Sequence, residues 1–218
     1  MTQDKKRALR KYEGDQTVVA IDSGSPELSF FAPFGPLMAR SRVDAGLVAA
    51  VNAYADRIAT PGKGSEFMVP PEVATSGGTG SLLACLEDFI ARYVAQTERV
   101  RATSIQIDAI WIVSQYASTA SPMHFHTGDV SGVLYLRTPQ VADEAAERQK
   151  TYISGRQAGD LNFILSGKQR FSRTVTSVTP EVGDIYLFPG WLLHGAEPFR
   201  GEGERRSLAF NAFVATDD

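Results

Sequence analysis

The sequence predicts a mainly β protein, an antiparallel sandwich or barrel with N-terminal helices, and three features carry that expectation. From Thr103 onward, β-branched and aromatic runs recur at short intervals and turn residues divide them. Ahead of that point, apolar residues in two segments follow helical spacing instead. The chain has 218 residues, is 43% hydrophobic and shows no composition shift, which suits one core. We therefore expect one structural domain, with residues 1–100 as an extension whose two helices pack on a β core of residues 101–218.

Glu27 to Phe34 reads as an extended apolar segment closed by a turn at Pro33 to Pro36. Val43 to Ile58 follows as a helix, with Val43, Leu47, Val48, Val51, Tyr54, Ala55 and Ile58 on one face. A Gly/Pro/Ser-rich interruption from Thr60 to Gly80 precedes a second helix over Leu82 to Val100. Its apolar stripe is Leu82, Leu83, Leu86, Phe89, Ile90 and Tyr93, and Ser81 supplies the start signal. The strands expected next are Ile105 to Tyr116, Gly132 to Arg137, Asn162 to Leu165, Phe171 to Val178, Asp184 to Phe188 and Arg205 to Val214. Val141 to Gly159 is charged and weakly helical, and it interrupts the strands where a lid or surface loop is expected.

Charge and cysteine content exclude several function classes. A net charge of -3 and a pI near 5.7 provide no field for gathering phosphates. The basic start, Lys5-Lys6-Arg7 with Arg10-Lys11, reads as a solvated tail, so no nucleic-acid partner is expected. Cys85 is the single cysteine, which excludes an internal disulfide, a thiolate metal cage and an iron-sulfur cluster within one chain. A reducing, cytoplasmic setting is expected. No apolar run reaches the length of a membrane span, so no membrane partner is expected.

The chain has three histidines, and two of them form His124-Phe125-His126. In extended backbone, residues two apart face the same side, so both imidazoles can converge on one ion. The third, His194, follows a turn-strand-turn pattern over Gly183 to Trp191. A lone histidine at a strand end is ordinarily just a polar residue. A same-face pair is different, because adjacent buried rings need nitrogen partners and repel when protonated, and a divalent metal resolves both problems. Nitrogen ligands on β elements suit Fe, Zn, Ni or Cu.

The stretch Ser121-Pro122-Met123-His124-Phe125-His126-Thr127-Gly128-Asp129-Val130-Ser131-Gly132-Val133-Leu134-Tyr135-Leu136 resembles the metal-binding segment of a bacterial and phage family of 2-oxoglutarate/Fe(II) oxygenases. Gly183-Asp184, then Leu187 to His194, then Arg205-Arg206-Ser207-Leu208-Ala209-Phe210-Asn211 are similar to its distal histidine and closing strand. The likeness runs from Ile105 to Val214 and is weaker over the helices. It implies a double-stranded β-helix, or jelly roll, with His124, His126 and His194 as ligands of catalytic Fe(II). It also implies that Arg205 binds the far carboxylate of 2-oxoglutarate with help from Ser207.

Strand alternation supports Arg205 independently, since Arg205, Ser207, Ala209 and Asn211 share one face while Arg206, Leu208, Phe210 and Val214 share the other. The second face is mainly apolar and should pack under the helices, which leaves Arg205 for a polar interior. The plain alternative is a surface charge beside Glu202 and Glu204. Tyr135, on one face with Ser131 and Val133, is either a further donor to that carboxylate or a core tyrosine. Trp111, Trp191 and Phe188 read as packing residues first and pocket walls second. Asp184 reads as a turn acceptor.

The departure from the family pattern is His126, which stands where most such oxygenases carry a carboxylate. Asp129 is the nearby carboxylate that can substitute, or else it orients His126 or an iron-bound water, or caps a turn. The expected reaction consumes 2-oxoglutarate and dioxygen and hydroxylates a C–H bond of a further substrate. The competing readings are a three-histidine cupin-type dioxygenase or isomerase that ignores 2-oxoglutarate, and a non-catalytic metal-binding module. A homodimer paired through sheet edges is compatible with either outcome.

Overall fold

The structure is a computed structural model and describes residues 27–31, 35–119, 121–141, 159–166 and 173–217. The expected turn at Pro33, the interior of the Val141 to Gly159 segment and the start of the Phe171 to Val178 strand lie outside them. The first elements are strands β1 (Ser29–Phe31) and β2 (Met38–Arg42), helix α1 (Ala45–Asp56), β3 (Ser65–Met68), the short helix α2 (Pro71–Ala74) and helix α3 (Leu82–Thr97). Strands follow as β4 (Ala102–Gln115), β5 (Val130–Arg137), β6 (Gln140–Val141), β7 (Leu161–Ile164) and β8 (Val175–Val178). The last are β9 (Asp184–Pro189), β10 (Leu193–Ala196), β11 (Gly201–Glu202) and β12 (Arg205–Thr216).

Among the described residues all strand pairings are antiparallel. A seven-stranded sheet runs β1-β2-β9-β5-β12-β4-β3, and a three-stranded sheet runs β10-β7-β8. The large sheet is covered on both sides, which is why β5 is buried nearly throughout instead of alternating with solvent. One face packs under the helices. There Leu134, Leu136, Ile185, Leu187, Leu208, Phe210 and Ala212 meet Val48, Val51 and Ala55 of α1 and Leu86, Phe89 and Ile90 of α3. The opposite face sends Val133, Tyr135, Tyr186 and Phe188 against Leu161 and Phe163 of the small sheet. The cavity described below opens within this second layer.

Local chemistry explains the helix starts. Asp44 Oδ1 accepts the N–H groups of Gly46 and Leu47 at 2.8 and 3.2 Å, and Ser81 Oγ accepts that of Ala84 at 3.2 Å. The chain turns away after α3 through Arg99 at φ 59°. Several elements depart from the sequence expectation, among them the short α2, β6 and β11. β2 and β10 occupy stretches assigned to no strand, and β3 lies inside the Thr60 to Gly80 interruption. β3 is an edge strand flanked by Gly64 and Pro70, and its pairing with Trp111 to Ser114 of β4 is a long-range register that no local pattern encodes. Among the described residues, no helix is long and apolar enough to cross a membrane.

Candidate metal centre and cosubstrate cavity

His194 sits inside β10, and its partner across an isolated antiparallel bridge is His124. Their backbones exchange two hydrogen bonds of 2.9 Å, His124 N–H to His194 O and the reverse. His126 N–H donates to Gly190 O at 2.8 Å, so the second histidine is tied to the turn between β9 and β10. Two glycines make this apposition possible. A side chain on Gly190 would start 1.9 Å from Gly128 O, and one on Gly195 would start 3.0 Å from the carbonyls of Ser121 and Pro122.

The three imidazoles therefore meet. Their ring centroids lie 4.4 Å apart for His124 and His194, 4.9 Å for His124 and His126, and 5.2 Å for His126 and His194. One ligand nitrogen from each lies within 4.8 Å of the other two. Two of the rings are oriented by carbonyls: His124 Nδ1 is 2.7 Å from Pro122 O, and His194 Nδ1 is 2.8 Å from Leu192 O. An Nδ1–H that donates to a carbonyl fixes the tautomer and leaves the Nε2 lone pair for a metal. Burial, then the neighbouring rings, hold His194 down to about 4 despite the Leu192 carbonyl. Burial and His124 lower His126 as well. Both are neutral near pH 7, the state that a metal ligand needs. This donor set fits a borderline divalent cation.

Asp129 takes no part in the cluster. Its Oδ2 accepts the backbone N–H of Val214 at 2.8 Å, which ties the loop after His126 to the end of β12. Among the described residues the group that can hold a metal is all-histidine.

A cavity of about 430 Å³ is lined by the three histidines together with Trp111, Gln115, Tyr135, Phe188, Arg205 and Ser207. Ser207 pairs with Tyr135 across β12 and β5, and Arg205 faces the same cavity two residues earlier, as alternation requires. Arg205 is 2% exposed, so it is not the surface charge that the alternative reading of the sequence allowed. Its Nε and Nη2 donate to Gln115 Oε1 at 3.1 and 2.7 Å. Nη1 donates to the carbonyl of Glu197 and, at 3.3 Å, to that of Gly159; Nη2 also reaches Thr119 O at 3.4 Å. Every one of these acceptors is neutral. Burial consequently lowers the proton affinity of the guanidinium, with Tyr135 and Glu197 opposing that trend. Burial raises the Tyr135 phenol, with Arg205 opposing, so Tyr135 remains a neutral hydrogen-bond donor.

The remaining aromatic residues separate by position. Trp111 meets His126 edge-on at 5.5 Å, and Phe188 meets His194 at 4.6 Å, so both are walls of the site. Trp191 is 55% exposed, contrary to its reading as a packing residue, because it occupies the β9–β10 turn and points away from the core. Asp184 accepts Glu181 N–H at 2.9 Å, as a turn acid should, and is also bridged by Arg40 and Arg42. Gln115 carried no sequence signal. Only its register opposite Arg205 brings it to the site.

Residues 109–211 match the model of the family described as "Putative 2OG-Fe(II) oxygenase". No curated protein matches the chain. Among solved structures, a prolyl-4-hydroxylase from Pseudomonas putida is similar at 16% identity and TM-score 0.54, covering 82% of this chain and 92% of its own. HygX from Streptomyces hygroscopicus, with nickel and 2-oxoglutarate bound, is similar at 13% identity and TM-score 0.54, covering 83% of each chain. A Burkholderia pseudomallei oxidoreductase of the 2OG-Fe(II) oxygenase family is similar at 17% identity and TM-score 0.51, covering 78% of this chain and 79% of its own. At these identities the likeness concerns the fold.

Proposed function

We propose, from the match of residues 109–211 to the 2OG-Fe(II) oxygenase family model, that the chain belongs to that family and hydroxylates a C–H bond with His124, His126 and His194 as the Fe(II) ligands. Arg205, with Ser207 and Tyr135, binds the far carboxylate of 2-oxoglutarate. The fold is a double-stranded β-helix in which the two sheets enclose the cavity. The helices of residues 1–100 form an extension of one domain, and the single cysteine suits a reducing, cytoplasmic compartment.

The observation that carries this reading is a buried cation, with Glu197 as a nearby charge but with no carboxylate bonded to it among the described residues, in the cavity that holds the three imidazoles. Among the described residues the hydrogen-bond acceptors of Arg205 are neutral, and a buried charge with no directly bonded counter-charge is costly unless a ligand supplies one. A dicarboxylate supplies it. The two long contacts, to Gly159 O and Thr119 O, are the ones that an incoming carboxylate exchanges most readily. When bound, Fe(II) would activate dioxygen with 2-oxoglutarate as co-reductant, one oxygen atom going to succinate as carbon dioxide leaves and the other to the substrate C–H bond. The protein holds the metal through neutral imidazoles, orients the cosubstrate through the guanidinium, and shields the site behind Phe188, Trp111 and Leu161.

A third imidazole in place of a carboxylate leaves more positive charge on the metal, which favours a dianionic oxoacid. The test is anaerobic titration of the Fe(II)-loaded protein with 2-oxoglutarate, read by the weak visible charge-transfer band of the chelate. Arg205→Ala is expected to raise the 2-oxoglutarate Kd by about a hundredfold or more, the scale set by removing a buried ion-pair partner. An unchanged titration in that variant overturns the assignment of Arg205, and absence of the band in the wild-type protein at saturating 2-oxoglutarate favours the three-histidine alternative that does not use it.

A further inference from the structure

Gln115 and Arg205 stand directly opposite each other in the register of β4 and β12, both facing the cavity. One oxygen, Gln115 Oε1, accepts from both Nε and Nη2 on the same edge of the guanidinium. At its other end Gln115 Nε2 donates to Ser121 Oγ at 3.1 Å, and the donor-only guanidinium is what fixes which way the amide points. A flipped amide would set N–H against N–H at Arg205 and lose both bonds. Ser121 in turn begins the segment that leads to His124, and its N–H donates to Ala196 O of β10 at 3.0 Å. A continuous path thus runs from the anchor arginine, through one amide, to the strand pair that carries two of the histidines.

The chemical type of this residue matters as much as its place. An amide orients a guanidinium without neutralising it, whereas the isosteric carboxylate would orient and neutralise it together. We infer that Gln115 is a positioning residue that holds Arg205 aimed yet unneutralised, so that the cavity prefers a dicarboxylate oxoacid over a monocarboxylate one. This rests on the proposed function, in which Arg205 receives the far carboxylate.

Gln115→Glu is the decisive variant, because it preserves shape and the acceptor oxygen and changes only charge. In the Fe(II)-loaded protein under anaerobic titration, it is expected to raise the 2-oxoglutarate Kd by roughly a hundredfold. The Kd of 2-oxobutanoate, which lacks the far carboxylate, should stay within about twofold, as no charged partner is lost to it. The preference between the two oxoacids therefore collapses while Fe(II) affinity is unchanged, a result that a merely structural glutamine would not give. Gln115→Met removes the acceptor at similar volume and is expected to weaken 2-oxoglutarate by about tenfold, a second arm should the charged variant fail to fold. If Arg205→Ala abolishes 2-oxoglutarate binding while both Gln115 variants keep the wild-type preference, this inference is overturned and the proposed function stands. If Arg205→Ala binds 2-oxoglutarate normally, both fall.

Discussion

Arg205 and Arg206 are consecutive residues of β12, each only 2% exposed, yet they occupy opposite electrostatic situations. Arg206, on the helix face, donates through Nε and Nη2 to Glu204 at 2.7 and 3.0 Å and through Nη1 to Asp56 of α1 at 2.8 Å. Arg137 joins the same carboxylates, so the charges on this side are balanced within the fold. Arg205, on the cavity face, has an amide and backbone carbonyls. A buried arginine that its own chain neutralises ties a helix to a sheet, while one left unneutralised is equipped to receive an anion. Alternation along a single strand separates the two roles by one residue.

The largest expected effect that sharpens this contrast is on stability. Arg206→Ala should destabilise the fold by about 3 kcal/mol, since it removes one partner of a buried pair. Urea unfolding followed by circular dichroism measures it, and 2-oxoglutarate affinity should not change. Equal damage to cosubstrate binding by the Arg205 and Arg206 variants would break the comparison.

A smaller effect is expected on the same helix-facing side at Gly132, which pairs with Phe210. An added Cβ there would lie 2.2 Å from the Phe210 ring, so Gly132→Ala should cost about 2 kcal/mol by overpacking, read as a lowered thermal midpoint. Cosubstrate affinity is again expected to be retained.

The last effect is a division by pH in the metal-free protein. His194 is held down to about 4 from 6.5, so its neutral form belongs to the fold; the associated stability is complete above pH 6.5 and is lost as pH falls toward 4. Burial raises Glu204, but hydrogen bonds from Ser114, Arg206 and Arg137 outweigh it, and the net shift is downward from 4.5. Its contribution is present above pH 4.5 and lost only below it. Acid titration of the thermal midpoint should therefore decline in two stages. His194→Gln should shrink the upper one, to which His126 also contributes, and leave the lower one in place.

The helices, the main strands and the two faces of β12 were legible in the sequence because each depends on a local period. The apolar stripe of α3 and the Ser81 cap follow helical spacing, and the separation of Arg205 from Arg206 follows strand alternation. Strands β2, β3 and β10 escaped notice, being short stretches whose strand character comes from pairing with distant partners. His194 illustrates the boundary between the two kinds of information. Its place after a buried strand was readable, but its position inside β10, opposite His124, was not.

By itself, then, the sequence determined which side chains share a face: His124 with His126, and Arg205 with Ser207. Tertiary structure alone decided that the distal histidine meets this pair, that Asp129 turns to the Val214 amide, and that Gln115 lies against Arg205. It also decided that, among the described residues, Arg206 is bonded to carboxylates and Arg205 to an amide and backbone carbonyls. The reason is that periodicity is set by backbone geometry within a few residues. Register and charge pairing depend on strands far apart in the chain, and are settled only when the core closes.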